Sequence, residues 1–265
     1  MKKELKSAIL RMKERIIETI GSCRPTIYLY GSIVLDDFKF GWSDIDILVL
    51  TETAISNDQA GFLVKLRQRM ISEEPDNRFY RSFEGGILSK ECFISGEPDT
   101  VVYWGTSGQR LMRTYNFDSF CMVELLENGI LLYGEELRQE FNRPKYMDLV
   151  CDVKKQYDAI RRYAKNTGRD LYSFGWLLDI SRCIYTLRTG KIIAKTLAGE
   201  WALNEKICPC VEALANAISV RRNPEEARTN SRILDYAETL GDEVQHYADV
   251  LEFEISLAEL RSMRE

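Results

Sequence analysis

Hydrophobic residues at Leu5, Ile9, Met12, Ile16 and Ile20 recur at spacings of three and four, which predicts an amphipathic helix over residues 2–20. Gly21 and Pro25 end it. The run TIYLY at 26–30 is rich in β-formers and predicts a strand, with Gly31-Ser32 directly after it. DIDILVLT at 44–51 predicts a second strand that carries two acids at its start. Residues 58–72 read as a helix. FYRSFEGGIL at 79–88 reads as a third strand weakened by Gly85-Gly86, and DTVVYW at 99–104 as a fourth. Helical patterns cover 106–128, and ILLYG at 130–134 is a further short strand.

The pattern changes after Pro144. Segments 148–166, 171–188, 195–205, 208–221 and 225–262 all read as helices. Pro224 followed by Glu225 and Glu226 is a helix start, with proline near the first helical position and acids in the first turn. Strands mixed with helices and then helices alone predict an α+β protein. The expected division is an N-terminal domain with a mixed sheet at residues 1–146 and a C-terminal α-helical bundle at 147–265.

Composition narrows the function. The 265 residues carry a net charge of -5, which gives no basic stripe for a nucleic acid and suits a cationic small molecule. Seven cysteines at positions 23, 92, 121, 151, 183, 208 and 210, with His246 the single histidine, lack the spacing of a zinc site. They are expected to be reduced fillers in a cytoplasmic protein. The basic N-terminus is interspersed with acids and has no apolar stretch of a signal peptide, and no run approaches 18 apolar residues. The expectation is a cytoplasmic monomer with small-molecule partners and no nucleic-acid or membrane partner.

Gly31-Ser32, eleven residues, then Asp44-Ile45-Asp46 is the strongest chemical signal. Residues two apart on a strand share a face, so Asp44 and Asp46 present two carboxylates side by side while Ile45 and Ile47 anchor the other face. Adjacent anions repel unless a cation lies between them, and Mg²⁺ takes carboxylate and phosphate oxygens together. Gly31 lets the backbone approach a phosphate, and Ser32 offers a hydroxyl and an N–H near a helix start. Glu84 is the candidate third acid, with Gly85-Gly86 leaving room for a ligand. Taken singly, D-x-D is common at strand ends and an isolated Glu is usually a solvated residue; the combination carries the functional reading.

This arrangement resembles the DNA polymerase beta-like nucleotidyltransferase superfamily, and the resemblance implies two-metal nucleotidyl transfer. YLYGSIVLDDFKFGWSDIDILVLT is similar to the N-terminal motif of the aminoglycoside adenylyltransferases that act on streptomycin and spectinomycin. LDISRCIYTLRTGKIIAKTLAGEWAL at 178–203 is similar to that family's C-terminal helical domain. The resemblance implies two Mg²⁺ ions on Asp44 and Asp46, ATP as co-substrate, and an active site in a cleft between the domains. It places phosphate contacts on Ser32 and Ser43 beside Gly31, and the catalytic base on Glu84. It places Arg182 and Lys195 at the ATP phosphates and an acid near the nucleotide at Asp118. Trp104 falls where the family has a substrate-packing Trp, though a lone Trp is as readily core. Asp170 and Asp179 are the acids expected to face a cationic antibiotic; Asp179, three residues before Arg182, is equally readable as a salt-bridged helix acid.

Two departures shape the expected specificity. Streptomycin-handling relatives carry acids before the Arg182-type helix, whereas 168–172 here supplies one, Asp170, with Tyr172 where another acid is expected. A nucleotide-contacting Tyr of the family is replaced near Ile218. The expected activity is AMP transfer from ATP to a hydroxyl of an aminoglycoside-type antibiotic, spectinomycin before streptomycin, conferring resistance. The rivals are a nucleotidyltransferase acting on a protein or tRNA and a non-catalytic nucleotide-binding or antitoxin-like module. The acidic pI of about 5.3 argues against tRNA, and the retained acids argue against a retired site.

Overall fold

The computed structural model describes residues 2–105 and 108–262. The chain forms two compact units: Met1–Asp36 with Ser43–Arg143, and Asp37–Trp42 with Pro144–Glu265. The short segment Asp37–Trp42 thus belongs with the helices, although it lies in sequence between Gly31-Ser32 and Asp44. Among the described residues, no helix is long and apolar enough to cross a membrane.

The first unit is built on six strands: β1 (Pro25–Tyr30), β2 (Ile45–Thr51), β3 (Phe83–Ser89), β4 (Val101–Gly105), β5 (Gly108–Met112) and β6 (Ile130–Tyr133), in the order β5-β4-β3-β2-β1-β6. β2 and β3 are parallel and the other pairs antiparallel, so the sheet is mixed, as expected. Helices α1 (Lys3–Ile20) and α2 (Asn57–Glu73) pack on one face. The face of α1 that its hydrophobic spacing predicts is buried at Leu5, Ile9, Met12, Ile16 and Ile20. Ser56 and Gln59 form a capping box that starts α2. On the opposite face, Tyr28, Tyr30, Leu48, Leu50 and Leu88 pack against α3 (Lys90–Ser95) and α4 (Ser119–Asn128) through Cys92 and Leu125.

Three local expectations are corrected. Residues Arg78–Ser82 form a 3₁₀ turn, capped by the Asn77 side chain on the Phe79 N–H, so β3 begins at Phe83 and not at 79. The helical reading of 106–128 fails over Gly108–Met112, which is an edge strand; residues 106 and 107 lie outside the described residues. Antiparallel pairing with β4 overrides the weak local period there. Gly31–Ile33 is a single 3₁₀ turn and not the start of an α-helix.

The second unit is α-helical: α5 (Tyr146–Tyr163), α6 (Tyr172–Thr189), α7 (Lys195–Asn204), α8 (Val211–Arg222), α9 (Pro224–Ala227), α10 (Ser231–Glu238) and α11 (Gly241–Ser262). α6 is the central helix and packs against α5, α7, α8 and α11. Its Phe174, Leu177, Leu178, Ile180, Ser181 and Ile184 are fully buried. The long helix expected over 225–262 is three helices; Asn230 caps α10 through the N–H groups of Arg232 and Ile233 and thereby interrupts the run.

Candidate active site

The acidic face follows from strand parity. Tyr30, Asp46 and Glu84 lie side by side on neighbouring strands, Tyr30 opposite Asp46 and Asp46 opposite Glu84. Ile45 and Ile47 point to the other face and are buried. Asp46 and Glu84 are half-buried, as is Asp44, which immediately precedes β2. Gly31 makes this arrangement possible. Its φ of +71° suits glycine, and a Cβ at that position would overlap the Asp46 carboxylate. Ser32 reaches the Asp44 carbonyl with its hydroxyl at 3.4 Å, tying the Gly-Ser turn to the acidic strand. Ser43, next in chain to Asp44, is buried.

Positive charge lies behind the acids. Arg67 on α2 is buried and donates to the carbonyls of Phe83 at 2.6 Å and Gly105 at 3.0 Å, so it fixes the backbone immediately before Glu84. Burial lowers the pKa of its guanidinium, while Glu84 and Asp44 pull the other way. The face is lined by tyrosines that the sequence reading missed. Tyr103 donates its hydroxyl to Glu84 Oε1 at 2.8 Å, and Tyr30 and Tyr115 meet hydroxyl to hydroxyl at 3.5 Å. Burial, with Asp46 contributing, raises the pKa of both Tyr30 and Tyr115. Alternation along β4 puts Tyr103 on the face that Val101 shares with the α3–α4 side, and its pairing opposite Gly86 of β3 is what brings that face to Glu84.

The same parity corrects Trp104. It points to the opposite face, is fully buried, and donates its indole N–H to the Leu63 carbonyl at 2.9 Å. It is a core residue of the sheet and offers no exposed platform for a ligand. Asp118 is the N-cap of α4, accepting the Cys121 N–H at 2.8 Å.

In the helical unit, Asp179 and Arg182 lie three residues apart on α6, and Lys195 is the first residue of α7. Lys195 pairs with Asp179 at 2.7 Å, so Asp179 is the salt-bridged helix acid of the two readings. Asp170 spends its Oδ1 on the N–H groups of Tyr172 at 2.8 Å and Ser173 at 3.3 Å, at the start of α6. A buried network missed by sequence reading lies beside them. Asp37 accepts from Arg221 Nε at 3.1 Å and Nη2 at 3.0 Å, and from the Thr196 hydroxyl at 2.6 Å, all within this unit.

Among the described residues, no three ligating side chains form a preassembled metal cage. The donor set of the first unit is a pair of aspartates on one face, with Glu84 on the neighbouring strand. A pair fits Mg²⁺, which keeps open positions for nucleotide oxygens and is held by one or two carboxylates.

Comparison with known proteins gives the geometry a family. The family model described as "Nucleotidyltransferase domain" matches residues 10–92, which contain Gly31-Ser32, both aspartates and Glu84. The one described as "Aminoglycoside adenylyltransferase, C-terminal domain" matches residues 146–245, which contain Asp179, Arg182 and Lys195. No curated protein matches the chain. Among solved structures, the fold is similar to that of the spectinomycin adenyltransferase AAD(9) from Enterococcus faecialis with ATP and spectinomycin, at 16% identity and a TM-score of 0.63. The match covers 92% of this chain and 98% of that one. The chain therefore carries a nucleotidyltransferase domain followed by the C-terminal domain of the aminoglycoside adenylyltransferases.

Proposed function

We propose that the chain transfers AMP from ATP to a hydroxyl of an aminoglycoside-type antibiotic, spectinomycin in preference to streptomycin, and so confers resistance. The observation that carries this reading is the acidic face: Asp46 and Glu84 in register on β2 and β3, with Gly31 leaving space for the Asp46 carboxylate. Two Mg²⁺ ions held by Asp44 and Asp46 would neutralise the triphosphate. Glu84 accepts the proton of the acceptor hydroxyl while that oxygen attacks the α-phosphorus, and pyrophosphate leaves. Ser32 and Ser43 are assigned to the phosphates. From the helical unit, Arg182 and Lys195 are assigned to the charge of the leaving pyrophosphate. Asp179 holds the Lys195 ammonium at the first turn of α7, which supports its use as a fixed point charge.

The side-chain pairings bear on specificity. Streptomycin carries two guanidinium groups and needs more carboxylates than spectinomycin does. Of the candidate acids in the helical unit, Asp170 accepts the Tyr172 N–H at the start of α6 and Asp179 pairs with Lys195. Each charge-assisted hydrogen bond not made loses about 1.5–3 kcal/mol of binding. Steady-state adenylylation of both drugs is expected to give a higher kcat/KM for spectinomycin; a higher value for streptomycin would contradict the assignment.

Glu84→Gln keeps size and shape but cannot take a proton. ATP binding by calorimetry is expected to persist while turnover falls by roughly 10²–10⁴-fold, the range of a general base. Normal turnover would remove Glu84 from that role.

A further inference from the structure

We propose that Tyr103 is a positioning residue for the transfer step: its phenol holds one oxygen of Glu84, so that the other oxygen is presented to the acceptor hydroxyl. The inference rests on the reading of Glu84 as the base. A carboxylate has two oxygens, and an acid on a strand can turn about its side-chain bonds unless one oxygen is fixed. Here the Tyr103 hydroxyl donates to Glu84 Oε1 at 2.8 Å, a well-formed O–H···O bond.

The phenol is itself held in place. The Arg110 guanidinium from β5 lies over its ring, 4.7 Å from the centroid. Tyr115 packs beside it with ring centroids 6.3 Å apart. Two glycines make room for these rings. A Cβ at Gly105 would stand 2.5 Å from the Tyr103 ring, and one at Gly86 would stand 2.7 Å from the Tyr115 ring. The backbone of β3 and β4 is therefore bare where the two rings lie. Burial, reinforced by the bond to Glu84, pushes the phenol up to about 12, so it remains a protonated donor across the neutral range.

This is a role in geometry, and the chemistry stays with Glu84. Removing the hydroxyl is therefore expected to lower the rate without touching nucleotide binding. Partners that orient a reacting group are worth roughly ten- to a hundredfold in activity. Tyr103→Phe keeps the ring, the Arg110 stacking and the fit against Gly105, and its unfolding midpoint by circular dichroism should match that of the starting protein.

The test is a double-mutant cycle on the full chain, with pyrophosphate release from ATP, Mg²⁺ and spectinomycin as the signal. Tyr103→Phe should lower kcat roughly ten- to a hundredfold with KM for ATP unchanged. The same substitution added to Glu84→Gln should cost nothing further, because the phenol then has no carboxylate to orient. A kcat equal to that of the starting protein overturns the inference while leaving Glu84 as the base. So does an equal, multiplicative loss in both backgrounds. Full turnover by Glu84→Gln alone overturns the reading of the base, and the inference with it.

Discussion

Asp46 stands at the centre of the acidic face, between Tyr30 on one neighbouring strand and Glu84 on the other. Its replacement by Asn removes charge and keeps volume. Asp46→Asn should therefore fold normally and lose transfer in Mg²⁺; wild-type turnover would be incompatible with metal binding at this aspartate. Gly31→Ala attacks the same group through the backbone. The added methyl collides with the Asp46 carboxylate, and the left-handed backbone at Gly31 disfavours any side chain. Activity should fall severely while the helical unit's thermal transition is unmoved; activity within twofold of the starting protein would show that the carboxylate has another place to sit. At this scale the sequence was legible where spacing alone decides. Gly31, Asp44 and Asp46 could be picked out because strand alternation and a short motif set their faces, and Glu84 came from the expectation of a third acid on another strand beside two glycines. Tyr103 and Trp104 could not be sorted, because adjacent aromatics on a strand point to opposite faces and only the pairing of β4 with β3 tells which is which.

At the scale of elements, the segment Asp37–Trp42 is held among the helices by ion pairing and aromatic packing. Asp37 and Arg221 are both buried, and Thr196 supplies a hydroxyl and an N–H to the same carboxylate. Trp42 adds an edge contact to Tyr172 at 6.3 Å and lies under the Arg221 guanidinium at 5.6 Å. Arg221→Ala leaves a buried carboxylate without its main partner, a loss of about 3–5 kcal/mol. Its unfolding midpoint in urea should shift down accordingly; a shift worth less than about 1 kcal/mol would mean that the pair is relaxed by water. None of this could be read in advance. The two charges are 184 residues apart, and a lone Asp in a loop and a helix-terminal Arg look like surface residues. The same limitation explains β5, whose strand character comes from its partner, and the break before α10, where capping by Asn230 overrides a continuous helical period.

Over the whole molecule, the change at Pro144 from mixed elements to helices was enough to give the α+β class and the order of the two parts. The two matched domain families fall on either side of that change. What the pattern could not give is the partners of the acids in the helical unit, since Asp170 accepts backbone N–H groups and Asp179 pairs with Lys195 through contacts that composition does not reveal. The proposed preference for a substrate with few cationic groups rests on that accounting. The most direct test of the central claim is pyrophosphate release by the purified protein with ATP and Mg²⁺, with and without spectinomycin, alongside Asp46→Asn. The account predicts release that depends on both the antibiotic and Mg²⁺ and is absent in Asp46→Asn, together with an AMP adduct of the drug by mass spectrometry. Release that is indifferent to the antibiotic, or retained in Asp46→Asn, would contradict it.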